Sequence, residues 1–246
     1  MTSNLKDSIH AQSVAEIIEF ISQFPETAIF RGENNIYDTL KPKVGRLFDN
    51  YCNKSALQNF ESSFESFETS IIDDFVRYCE PYLENVSVED EVKVLTIGQH
   101  YGLPTRLLDW TENILVAIYF AIEGNNESDR RIYIYDTKRI IGIEEVFSDK
   151  LTLIHKYYPP IIHKRIISQS SLFTVYRYPY IDMREHVKDG KDQIFAEIQI
   201  PYKNVVGIRG ELSKLGINGK SIWPDIDGVV KYIEWFFSEK YTELKQ

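Results

Sequence analysis

Cysteine is scarce in this chain: Cys52 and Cys79 are the only two among 246 residues, and they have no Cys-x-x-Cys spacing. That excludes a disulfide framework or a cysteine-built zinc site and suits a reducing compartment. The histidines, His10, His100, His155, His163 and His186, show no metal-binding spacing, so no metal is expected. Basic charge is short as well. Lys and Arg number 28 against 37 Asp and Glu, giving a formal net charge of -9 and a pI near 5.2. Broad electrostatic binding of nucleic acid needs clustered cations, so it is disfavoured, although a local basic patch is compatible with these totals. No stretch approaches the roughly 18 uncharged apolar residues of a membrane span. The N-terminus has no basic start leading into an apolar run. A soluble, cytoplasmic protein with no membrane role is expected. Glycine-rich dinucleotide loops and a Gly-x-Ser-x-Gly elbow are absent, which excludes a Rossmann mode of NAD binding and a hydrolase nucleophile of that kind. The segment "PDIDG" lacks the ligands of a calcium loop and reads as a helix start.

What is present is 43% hydrophobic residues, enough for a real core, with no repeat and no linker. The pattern predicts one α+β domain over 1–246, with a mixed or antiparallel sheet and several packed helices. Ser13 and Glu16 form a capping-box pattern ahead of an apolar helix that feeds the strand "AIF". Irregular backbone is expected around "YDTLKPKVGR". An aromatic stripe, Leu57, Phe60, Phe64, Phe67, Ile71, Phe75 and Tyr78, marks a long core helix, with a partner-docking helix as the alternative. A second helix stops at Gly102. A buried helix "TENILVAIYFAIEG" is expected to be capped by Thr111 or Asp109. Strands are predicted at "RRIYIYD", "SLFTVYRY", "QIFAEIQIP" and "KNVVGIRG". A closing helix begins at Pro224-Asp225 and places Ile226, Val229, Val230, Ile233, Phe236 and Phe237 on one face.

Two features invite chemistry. Arg31 and Gly32 end an extended run, and residues 96–121 crowd Gln99, His100, Tyr101, Thr105, Arg106, Asp109, Trp110 and Thr111 between two helices. A polar loop on rigid elements is where sites lie, while an Arg106–Asp109 pair and a capping role for His100 would account for the same residues as scaffold.

These stretches resemble the FRG domain, a family named for its Phe/Tyr-Arg-Gly motif. "FRG" at 30–32 is followed by "QHYGLPTRLLDWTENILVAIYFA", by "RIISQSSLF" with Ser171 where the family has glycine, and by "SIWPDIDGVVKYI" with Trp223 where it has phenylalanine. The resemblance runs over about residues 13–237. A second resemblance is to ADP-ribosyltransferases of the Arg-Ser-Glu type, through Arg31-Gly32, the run Thr105 to Thr111 leading into "LVAIYFA", and Glu197, in that order. The chain departs from that type in lacking a Ser-Thr-Ser triplet and an acid or glutamine two places before Glu197.

The second resemblance implies an ADP-ribosyltransferase-like fold and an NAD-consuming enzyme with no metal. Arg31 and Gly32 would hold the NAD diphosphate, and Thr105 or Thr111 the ribose. Asp109 with Arg106 and Trp110 would form the floor, with His100 or Gln99 at the rim and Tyr101 also among the NAD-binding residues. Glu197 would be the catalytic carboxylate, with Gln169 its rival. The FRG resemblance implies the setting, a toxin–antitoxin or phage-defence effector that modifies RNA, DNA or protein, with an antitoxin or neighbouring-gene product as partner. The alternative is a non-catalytic module that recognises a phosphate or a nucleic-acid end.

Overall fold

A computed structural model of the chain describes residues 8–51, 60–82, 91–124, 126–148, 151, 153–188 and 193–240. Leu57 and Cys52 lie outside them. Eight strands form one sheet: β1 (Ile9–His10), β2 (Ile29–Glu33), β3 (Leu108–Thr111), β4 (Arg130–Thr137), β5 (Ile140–Ile141), β6 (His155–Tyr157), β7 (Ser171–Val175) and β8 (Gln193–Ile200). Their spatial order is β1-β8-β4-β2-β3-β7-β6-β5. The outer pairs β1–β8 and β5–β6 are parallel and the rest antiparallel, which makes the sheet mixed. The helices are α1 (Val14–Ile21), α2 (Lys43–Tyr51), α3 (Phe60–Cys79), α4 (Glu91–His100), α5 (Ile114–Ile122), α6 (Lys164–Ser168), α7 (Met183–Lys188), α8 (Val205–Lys214), α9 (Gly219–Ile222) and α10 (Ile226–Trp235).

The sheet is divided near its middle. Strand β2 pairs with β4 from Ile29 to Glu33, and β4 pairs with β8 along its whole length. In contrast, β2 meets β3 only where Phe30 faces Thr111, so the two halves part just past the start of β2. Alternation along the strands then sorts the core. Phe30, Ile132, Ile134, Ala196 and Ile198 pack beneath α1, α5 and α8. On the other face Ile29, Tyr133, Tyr135 and Phe195 pack with Leu108, Trp110 and Leu172. Gly32 lies on the α5 side, where a Cβ would stand 1.9 Å from the Ala117 carbonyl oxygen and 2.6 Å from the Ala121 amide nitrogen. The helix backbone therefore rests directly on β2, and only glycine leaves room for it.

Helix α1 starts as the sequence indicates: Ser13 accepts the Glu16 amide at 3.2 Å. Helix α5 is buried, but Asn113 is its cap, accepting the Leu115 amide at 3.0 Å, so neither Thr111 nor Asp109 has that role. The stretch "VVGIRG" is helix α8 and not a strand, because Val205, Ile208 and Leu212 at helical spacing are buried in the same core cluster as α5. Part of the run read as irregular forms α2, which Val44 and Phe48 anchor against Phe64. The α3 stripe is less buried than expected: Phe64 is enclosed, Phe67 and Ile71 are half-buried, and Tyr78 is exposed. Helix α10 begins at its Asp225 cap, yet Ile226, Val229, Val230, Ile233 and Phe237 are exposed and Gly228 is its one buried residue among those described.

Candidate functional site

The parting of β2 and β3 opens a cleft of about 580 Å³. Its walls draw on β2, the end of α4, β3, α6 with the start of β7, and Trp223, so the separate polar motifs of the sequence meet in one place. Helix α4 ends at His100 and is followed by Gly102, whose φ of +83° is the left-handed conformation glycine supplies after a helix. The Leu103 amide donates back to the Gly98 carbonyl at 2.8 Å. That reversal returns the chain so that β3 runs beside Gln99.

Arg31 is fixed at the cleft wall by two contacts. Its Nε donates to Glu33 Oε1 at 3.1 Å and its Nη1 to the Asp109 carbonyl at 2.9 Å. The Asp109 carboxylate is 62% exposed in the cleft, 3.9 Å from Arg31 Nη1. It is oriented by the Gln99 amide, which donates to its two oxygens at 3.0 and 2.9 Å. Thr105 in turn donates to Gln99 Oε1 and accepts the Leu107 amide at 3.2 Å. Thr105 is thus buried behind Gln99 and does not line the cleft. Thr111 does line it, but donates to the Gln169 carbonyl at 2.7 Å and accepts the Asn113 amide at 3.0 Å, which joins β3 to α5.

Arg106 is not paired with Asp109. The β3 approach turns it away from the cleft, where Nε donates to Glu68 Oε1 at 2.8 Å, Nη2 bonds Glu68 Oε2, and the guanidinium lies 4.6 Å from the Phe147 ring. This buried α3 contact is structural. Trp110 does contribute to the cleft, while its indole N–H donates to Thr174 at 2.9 Å in the core. His100 stands at the rim with its ring 4.1 Å from that of His163. Burial, followed by the His163 and Arg165 charges, lowers its pKa. Tyr101 is 78% exposed and outside the cleft. Gln169 lines the cleft and donates to the Ile222 carbonyl at 3.3 Å.

Glu197 lies elsewhere. The registers Arg31–Tyr133 and Tyr133–Glu197 put it on the same sheet face as Arg31 but two strands away, and it does not line the cleft. It is 3.4 Å from Arg131 Nε. Burial raises its pKa, against the opposing pull of Arg131 and Arg184. The cleft has its own acids: Glu33, Asp109 and Glu123. Glu33 was legible in principle, since a residue two places beyond Arg31 on a strand shares its face. Arg46 and Arg165 also line the cleft and were not singled out as site residues. Arg165 holds Asp225 at 2.8 Å and Asp227 at 3.0 Å and stacks 4.7 Å from Trp223, whose indole also faces Lys231 at 4.4 Å. Nothing in the separate stretches predicted that closure.

The comparison with family models falls on this cleft: residues 26–130 match the FRG domain. The chain carries an FRG domain. The matched span runs from the loop before β2 to the first residue of β4 and holds the Arg31, Gln99 and Asp109 assembly. Arg165, Gln169 and Trp223 lie beyond it in sequence yet wall the same cleft, so the cleft is completed by the C-terminal part of the chain. No curated protein and no solved structure gives a significant match. Among the described residues no group of His, Cys, Asp and Glu is arranged to hold a metal, and no helix is long and apolar enough to cross a membrane.

Proposed function

We propose that the FRG domain takes NAD into the split-sheet cleft and transfers its ADP-ribose part to a macromolecular acceptor. One observation carries the reading: the Arg31-Gly32 strand end and the strand that leads through Thr111 into α5 meet at a cleft within the 300 to 1,000 Å³ or so usual for ligand sites. A guanidinium offers charge-assisted, two-point bonds to a diphosphate. Loss of nicotinamide leaves a cationic anomeric carbon, which a nearby carboxylate stabilises. Asp109 is assigned that role in place of Glu197, because its carboxylate is exposed in the cleft and held from behind by Gln99. Glu33 then serves to orient Arg31.

The internal use of Thr105 and Thr111 favours a second reading, a module that binds a phosphate-bearing ligand without reaction, since neither hydroxyl is left for a ribose. Incubating the purified protein and cell lysate with NAD labelled in the adenine or in the nicotinamide separates the two. Transfer is expected to release nicotinamide and leave adenine label on a macromolecule, and Arg31→Lys is expected to abolish both without lowering the melting temperature. Binding of NAD with no nicotinamide release would establish the non-catalytic module. Absence of NAD binding would refute the transfer reading.

A further inference from the structure

Arg31 spends two of its three nitrogens on the protein, Nε on Glu33 and Nη1 on the Asp109 carbonyl. Its Nη2 has no acceptor among the described residues and is not among the atoms closed off from solvent without a partner. A second guanidinium comes to the same wall from a different element. Arg46 of α2 lines the cleft and, with Arg31, Lys43, Gln99 and Asp109, a side recess of about 170 Å³. One hydrogen bond, from Nη1 to the Lys41 carbonyl, is all that holds the Arg46 side chain among the described residues, and no carboxylate there lies within ion-pair distance of it. Lys43 likewise meets a carbonyl, that of Gly102 at 2.5 Å, and no acid.

Other cations near the cleft are matched: Arg165 by Asp225 and Lys231 by Glu123. Loss of surrounding water and then the Arg31 charge hold the Arg46 guanidinium below its usual pKa, against the opposing pull of Glu33, Tyr37 and Asp109. Arg31, Arg46 and Lys43 thus face two carboxylates, Glu33 and Asp109, and such an excess of like charge is a standing attraction for an anion. Their spacing is fixed by packing, since a Cβ on Gly45 would stand 2.0 Å from the Pro179 carbonyl oxygen and α2 is seated directly on that backbone.

We infer that Arg46 joins Arg31 in a two-guanidinium anchor for a phosphate or diphosphate group, with Lys43 as a third charge at its edge. The inference rests on the reading that the cleft receives a nucleotide, and adds which element grips its phosphates.

Calorimetric titration of parent, Arg46→Gln and Arg46→Lys with inorganic pyrophosphate and with NAD tests it. Arg46 belongs to none of the core clusters, so its replacement leaves the core intact, and a thermal melt checks this. Arg46→Gln is expected to weaken both ligands about 10- to 100-fold, as loss of a hydrogen bond to a charged group does. Arg46→Lys is expected to recover only part, because an ammonium cannot form the paired bonds. Unchanged affinity of the folded Arg46→Gln protein for both ligands would overturn the anchor and leave the NAD reading standing. A parent that binds pyrophosphate but not NAD would support the anchor, provided Arg46→Gln weakens it, and overturn the NAD reading. A parent that binds neither would overturn both.

Discussion

Gly32 is the residue whose replacement separates packing from ligand contact most cleanly. A methyl added there meets the Ala117 carbonyl oxygen at 1.9 Å and the Ala121 amide nitrogen at 2.6 Å, both backbone atoms of α5 that have no rotamer to change. An ordinary carbon-to-oxygen contact is about 3.3 Å, so α5 and β2 must move apart by about 1.4 Å. Ala117, Ile118, Ala121 and Ile122 on α5 are all at or near zero exposure, and the whole cluster shared with α1 and α8 is loosened by that movement. Overpacking of a core costs about 1 to 3 kcal/mol, and a clash between two backbones belongs at the upper end or beyond. Gly32→Ala is therefore expected to lose about 3 kcal/mol of a total of about 5 to 15. At a slope near 3 kcal/mol/M the urea midpoint falls by about 1 M, and the melting temperature by about 6 to 12 °C. Urea titration followed by circular dichroism reads the effect. A variant within 0.5 kcal/mol or so of the parent that has lost NAD binding would refute the packing argument and place the glycine against the ligand instead.

Asp109→Asn is expected to lower nicotinamide release at least 100-fold or so while NAD affinity stays within a few fold, as for a group acting mainly in the transition state. Its stability cost is expected to be small, because the carboxylate is exposed and its partner is not Arg106. Single-turnover kinetics and a thermal melt check both parts. Glu68→Gln leaves Arg106 buried without its counter-charge, so a loss of about 3 to 5 kcal/mol in urea titration is expected, with unaltered ligand affinity because Arg106 is outside the cleft. His100 titrates lower in the folded protein than its ordinary 6.5, so the unfolded chain binds the proton more readily. Its contribution to stability is present above pH 6.5 and lost as the pH falls below that value, and His100→Gln should flatten this part of the curve of melting temperature against pH.

Local pattern alone determined a good part of this protein. The Ser13 cap and apolar spacing define α1, alternation defines β4 and β8, and Asp225 opens α10, accepting the Gly228 amide at 3.1 Å. These features depend on neighbours a few residues apart, so they can be read along the chain. The polar motifs could be recognised there too, as could their association with one family. Which of their side chains face one another could not be read. Arg106 and Asp109 sit three residues apart, but the strand alternates and the chain bends, so Arg106 finds Glu68 from α3 while Asp109 finds Gln99. Glu197 carries a suitable acid on a suitable strand, yet the strand order inserts β4 between it and Arg31. Arg46 lies in a stretch that looked irregular, and packing of Gly45 on the Pro179 backbone brings it to the cleft. Val205, Val206 and Ile208 suit a strand as well as a helix, and burial beside α5 settles α8 as helix. Tertiary structure decided these matters because pairing of charges and closure of a cleft depend on which distant elements share a face, and a one-dimensional pattern holds no term for that.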